Sequence, residues 1–291
     1  MWDFEHGRAA KSSAPGIKEL FEIGYTLPSS CARELQAGKA DIGIIPAAAY
    51  TQIPGLEILP DVAIASKRDV RSILLVSRLP IDEVRTVALD TSSMTSVALT
   101  KVIFEKWLGG GRTFTPMAPD IDDMLATHDA GLLIGDPALQ IDRSRYYTLD
   151  LAEEWIRRTG KPFVFAFWAV RQDALQQNEI EQETPRRESR PRSGTRSGAG
   201  IDVSDLAAIF QRSRDHGLEP SSLDQISREW APRLNLKEDD VRSYLTGNIY
   251  YYLDQPCLEG LLLFYRYASE VGALPQPRAI RFVDAETGAR I

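Results

Sequence analysis

The densest run of residues able to do chemistry is Asp90-Thr91-Ser92-Ser93-Met94-Thr95-Ser96-Val97-Ala98-Leu99. An apolar run ends at Leu89, hydroxyl side chains crowd a short loop, and a helical pattern follows with Leu99, Val102, Ile103 and Trp107 on one face. The first N–H groups of a helix have no intrahelical acceptor. With several hydroxyls beside them they form a cradle for an anion such as a carboxylate. An ordinary N-cap would need only one Ser or Thr. Five hydroxyls in the six positions 91–96 exceed that need, which makes Thr91, Ser92, Ser93, Thr95 and Ser96 candidate substrate-binding residues.

Two further places carry candidates. A short apolar strand, Gly131 to Ile134, runs into Gly135-Asp136-Pro137, where Asp followed by Pro is a helix-start signal. Helix capping alone accounts for Asp136, and a catalytic carboxylate is the sharper reading, with Gly135 beside it as a binding position. Arg71-Ser72 opens a strand that crosses toward a second lobe. Arg71 suits a carboxylate, or is a plain exposed strand-end arginine. Ser72 is a catalytic candidate if its face of the strand points into the cleft. Phe163, Phe165 and Phe167 alternate on the strongest strand, so one face is core and one ring is a candidate pocket wall.

Other chemistry finds little support. His6, His128 and His216 are scattered, and no Cys/His/carboxylate spacing suggests a metal. There is no G-x-S-x-G elbow. Gly109-Gly110-Gly111 follows a helix, lacks the Lys-Ser/Thr of a phosphate loop, and reads as a turn. Tyr250-Tyr251-Tyr252 lies on a helical pattern and reads as core or lobe contact.

Composition bounds the rest. In 291 residues, 43% are apolar and 26% charged, and the formal charge is −7. That balance disfavours nucleic-acid and anionic-membrane partners, both of which need a basic surface. Any anion site must therefore be locally positive within an acidic protein, which helix N-termini achieve without net charge. Two distant cysteines, Cys31 and Cys257, suit free thiols in a reducing compartment. With no signal-like start and no long apolar run, a soluble cytoplasmic protein is expected.

Such residues need a scaffold, and the elements that supply it alternate. β-branched runs at Asp41–Ile45, Val62–Ala65, Ser72–Val76, Thr86–Leu89, Gly131–Ile134 and Phe163–Val170 alternate with helical patterns, the signature of an α/β fold. Helices are expected at Val203–Arg214, Ser222–Leu234, Glu238–Leu253 and Cys257–Val271, with a last strand at Ala279–Val283. From Gln176 to Gly200 apolar periodicity stops and Gln, Glu, Arg, Ser, Pro and Gly dominate, so this insert is expected to be disordered. Its arginines read as solvated charge. The order of elements predicts two lobes, residues 1–72 with 168–291 and residues 73–167, joined by two crossing strands with the ligand cleft between them.

Several of these blocks, taken together and in order, resemble the chorismate dehydratases of the futalosine route to menaquinone. They are Val70-Arg71-Ser72-Ile73-Leu74-Leu75-Val76-Ser77, Thr91 to Leu99, Pro116-Met117-Ala118-Pro119-Asp120, Leu132 to Leu139, Leu151-Ala152-Glu153-Glu154-Trp155 and Gly160 to Trp168. The resemblance implies a type II periplasmic-binding-protein-like fold used by a cytosolic lyase with neither a metal nor an organic cofactor. Its implied small-molecule partner is chorismate, dehydrated to 3-[(1-carboxyvinyl)oxy]benzoate. The 1,4-dihydroxy-6-naphthoate synthase of the same pathway and a non-catalytic carboxylate-binding protein are the rival readings. The sequence departs from the family in two places. Hydroxyl residues that often come after the proline of an early strand are replaced by Ala47-Ala48-Ala49. The family's opening strand, ending in a Tyr-Leu-Asn-x-x-Pro-Leu-type motif, has no counterpart. Met1-Trp2 resembles the family residues just past that motif, and the strand is expected upstream.

Overall fold

The computed structural model describes residues 2–6, 20–176 and 203–283. The chain begins with α1 (Trp2–His6), α2 (Pro28–Gln36), β1 (Ile42–Pro46), a four-residue α3 (Ala47–Tyr50) and the long β2 (Leu56–Ser66). It then builds β3 (Ile73–Ser77), β4 (Thr86–Asp90), α4 (Met94–Trp107), β5 (Thr113–Met117), α5 (Ile121–Thr127), β6 (Ala130–Ile134), α6 (Asp136–Leu139), β7 (Tyr147–Asp150) and α7 (Leu151–Thr159). It returns through β8 (Phe163–Arg171) to α8 (Val203–Gly217), α9 (Pro220–Leu234), α10 (Glu238–Ser243), a π-helical turn (Tyr244–Asn248) and α11 (Gln255–Glu270).

These elements form two sheets. One has the order β1–β8–β2, antiparallel throughout, and the other the order β5–β4–β6–β3–β7. In the second sheet β4 is parallel to β5 and β6, while β3 is antiparallel to β6 and β7. The expected division at 167/168 falls inside β8, which pairs with β2 from Ser66↔Phe163 onward.

The five-stranded sheet shows why its strands read as unbroken apolar runs. Leu75, Val87, Leu89 and Leu132 face the large core with α4, whereas Leu74, Val76, Ala88 and Leu133 face Met124, Leu125 and Ala138 on α5 and α6. Helices cover both faces, so alternate residues are buried on either side. The large core is continuous between lobes, running from Ile45 and Phe167 through Leu99 and Ile103 to Trp155 and Phe264. Trp155 sits at its centre, 5.3 Å from the Phe163 ring and 6.0 Å from Trp107, with its indole N–H donated to the Pro162 carbonyl at 3.2 Å.

Several expectations need correction. The helix expected over Glu238–Leu253 stops at Ser243, passes through the π turn and becomes extended, with Tyr250 bridged to Ala65. Ser66 Oγ and the Asn248 side chain hold that turn: the hydroxyl donates to the Asn248 carbonyl at 2.8 Å and Asn248 Nδ2 donates to the Asp69 carbonyl at 3.0 Å. Tyr250–Tyr252 are therefore not helical. Phe163, Phe165 and Phe167 are all buried, because β8 is covered on both faces and leaves no ring as an open wall. The Ala279–Val283 strand reduces to one parallel bridge, Ile58↔Phe282. β5 and β7 were not foreseen. From residue 177 to 200 the expected insert lies outside the described residues.

Candidate functional site

One end of the five-stranded sheet collects the candidates. The parallel strands β4, β5 and β6 finish there, and the register Ile73↔Ile134 starts β3 where β6 ends. Thr91–Ser96 therefore follow β4, Gly135 and Asp136 follow β6, and Arg71 and Ser72 precede β3. With strands about 4.8 Å apart, the β4 and β3 positions stand roughly 10 Å from each other.

At the end of β4, three of the five hydroxyls are engaged by the protein. Ser93 caps α4, its Oγ accepting the Ser96 N–H at 3.3 Å and lying 3.1 Å from Ser96 Oγ. Thr95 is fully buried; its hydroxyl donates to the Phe165 carbonyl at 3.0 Å and accepts the Ala48 N–H at 3.1 Å. Thr95 thus supplies an acceptor to the first turn of α3, which has no side-chain cap of its own. Thr91 is exposed and Ser92 half-buried, and the Ser92 N–H is turned back onto Asp90 Oδ1 at 2.7 Å. The Met94 and Thr95 N–H groups have no intrahelical acceptor by helix geometry. Met94 borders a cavity of about 330 Å³ lined also by Asp90, Thr91, Ser93 and Lys101, with Gln52 and Leu274 from outside the five-stranded sheet, whereas Thr95 is buried away from it. That volume lies at the small end of ligand sites.

Ser72, Gly135 and Asp136 do not line this cavity; they form a second cluster. The Gly135 N–H donates to the Ser72 carbonyl at 2.7 Å, and Gly135 has φ +71°, which a side chain would strain. Arg71 is half-buried with φ +64°, a left-handed conformation unusual for arginine. Asp150 holds it there, its carboxylate accepting Arg71 N–H at 2.7 Å and Val70 N–H at 3.0 Å while also capping α7. Burial pushes the Asp150 carboxyl up, and those N–H groups pull it back. Asp136 opens α6 with its side chain exposed, and Gly135, not Asp136, is the N-cap, so among the described residues helix capping does not use its carboxylate. Ser72 is 5% exposed, and the Tyr244 hydroxyl lies 3.0 Å from its Oγ.

A protein-family profile described as menaquinone biosynthesis matches residues 12–270. The chain belongs to this family. It is similar to a chorismate dehydratase of Thermus thermophilus, 26% identical over 264 residues that cover 84% of this chain and 86% of that protein. Its fold is the two-lobed type II periplasmic-binding-protein-like one. A protein of Archaeoglobus fulgidus superposes with a TM-score of 0.58 at 16% identity, covering 85% of each chain. The periplasmic aliphatic sulphonate-binding protein of Escherichia coli gives 0.51 at 14% identity, covering 84% of this chain and 78% of that one. Among the described residues no helix is long and apolar enough to cross a membrane.

Within this family member, sequence reasoning missed Tyr244 and Asp150. Asp150 had a signal, an aspartate directly before the helical pattern of Leu151-Ala152-Glu153-Glu154. Tyr244 had none, because its partner lies 172 residues away.

Proposed function

We propose that the protein is a chorismate dehydratase, a carbon–oxygen lyase that turns chorismate into 3-[(1-carboxyvinyl)oxy]benzoate and water. The observation that carries this reading is the start of α4: Met94, whose N–H has no intrahelical acceptor, borders a cavity together with Thr91 and Ser93, in a chain of the menaquinone biosynthesis family. One substrate carboxylate is held by the Met94 N–H with the Thr91 and Ser92 hydroxyls, where the helix dipole supplies positive potential. Ser93, Thr95 and Ser96 shape that loop. The ring extends toward Arg71, Ser72, Gly135 and Asp136 on the neighbouring strand ends.

The elimination removes a proton from the ring carbon bearing the enolpyruvyl ether and breaks the C–O bond of the adjacent hydroxyl. The released electron pair becomes a ring double bond, and the hydroxyl leaves as water after taking up a proton. Aromatisation supplies driving force, so the protein mainly orients the ring and assists proton transfer. A substrate carboxylate takes the proton, and Ser72 donates toward a substrate oxygen. The reading puts the reaction in the cytoplasm, consistent with two free, buried thiols, Cys31 and Cys257.

Incubation with chorismate, then chromatography, tests the proposal. Appearance of the aromatic enol ether supports it, and chorismate recovered unchanged overturns it in favour of a carboxylate-binding protein. Asp136→Asn separates the proton acceptors: turnover is expected to persist, and an inactive variant that still binds chorismate would make Asp136 the base.

A further inference from the structure

Tyr244 opens the π-helical turn, a departure from regular helix that recurs at functional sites. It brings the ring from the C-terminal helices to the base of β3, within 3.0 Å of Ser72 Oγ. The backbone around Ser72 has other anchors. The Ser72 carbonyl already accepts the Gly135 N–H, and Asp150 already fixes Arg71. The volume a Cβ would fill at Gly135, whose N–H bonds the Ser72 carbonyl, is open to 4 Å among the described residues.

Both hydroxyls carry a proton, and their roles differ. A phenol is the more acidic group and the better donor, whereas an alkyl hydroxyl is the better acceptor. Burial raises the Tyr244 hydroxyl above its usual range; the Ser72 bond and Arg71 oppose the rise, and Asp136 adds to it. The phenol therefore keeps its proton at neutral pH and is a poor source of the proton that the leaving hydroxyl needs.

We propose that Tyr244 is a positioning residue that donates to Ser72 Oγ and thereby aims the Ser72 proton at an oxygen of a bound ring carboxylate. For the identity of that ligand the proposal rests on the dehydratase reading. Tyr244 acts through Ser72, which sets a non-additive pattern.

Tyr244→Phe keeps the ring and removes one hydroxyl. It is expected to lower kcat/KM for chorismate by roughly five- to tenfold, the loss of one hydrogen bond. Ser72→Ala should lose more, and the double variant should match Ser72→Ala. Wild-type kinetics in Tyr244→Phe, or losses that multiply in the double variant, would overturn the proposal. A structural role alone would lower Tm without this coupling, so Tm is read for all three variants. Saturation-transfer NMR with 3-hydroxybenzoate keeps this idea separate from the reaction itself. A wild type that binds the probe but leaves chorismate intact sinks the dehydratase and retains the pairing if both single variants weaken binding. Undiminished binding by Tyr244→Phe sinks the pairing, and a wild type that neither binds the probe nor converts chorismate overturns both.

Discussion

Replacing Thr95 with valine removes one hydroxyl from the lobe junction and almost no volume. That hydroxyl serves two backbone groups that have no alternative. Phe165 lies at the irregularity between the Ile64↔Ala166 and Ala65↔Val164 pairs, so the sheet does not take its carbonyl, and Thr95 does. The Ala48 N–H belongs to the first turn of α3, where no intrahelical acceptor exists, and Thr95 Oγ1 accepts it. Each buried group left unpaired costs about 1–3 kcal/mol. The added buried methyl of valine returns about 1 kcal/mol, so the net loss for Thr95→Val is about 1–5 kcal/mol, centred on about 3. Thr95→Ser keeps the hydroxyl and loses a methyl, for about 1 kcal/mol. Urea unfolding monitored by tryptophan fluorescence reads both, because Trp107 and Trp155 report on the core shared by the lobes. A valine variant as stable as the serine variant would refute the bridging role of the hydroxyl.

In Gly260→Ala the new Cβ would stand 2.1 Å from the Pro162 carbonyl oxygen, a backbone atom that cannot swing aside. The variant is expected to lose about 1–3 kcal/mol despite alanine's better helix propensity, and a Tm at or above wild type would count against this. Burial works against the charge on Asp254, yet Lys67, Tyr250 and the Cys257 N–H hold its carboxyl at about 2, below the ordinary 3.8. A lowered folded-state value stabilises at higher pH, so this contribution is present above about pH 4 and is lost as pH falls toward about 2. Solvent screening limits it to about 1 kcal/mol. Asp254→Asn should remove that part of the acid sensitivity, and parallel stability curves for variant and wild type across this window would exclude it.

The sequence by itself determined those features whose physics is short-range. Alternation of β-branched runs with 3.6-residue patterns marked the two-lobed α/β fold, because covered strands and amphipathic helices declare themselves within a few residues. The hydroxyl loop before α4 and the Gly135-Asp136 turn were legible for the same reason, since capping and helix starts are local. Edge strands were not. In β5 only Phe114 and Met117 are large and apolar, and β7 is Tyr-Thr-Leu-Asp, so both become strands by pairing with β4 and β3 and not by pattern. The helix expected through Leu253 fails where Asn248 is claimed by Ser66 and Asp69, partners far away in sequence. Tertiary structure likewise decided what each hydroxyl does: Thr95 spans the lobes, Ser93 caps, Thr91 stays exposed, and Ser72 receives Tyr244. A hydroxyl's type states that it can donate and accept; only the distant backbone and side chains folded against it determine to whom.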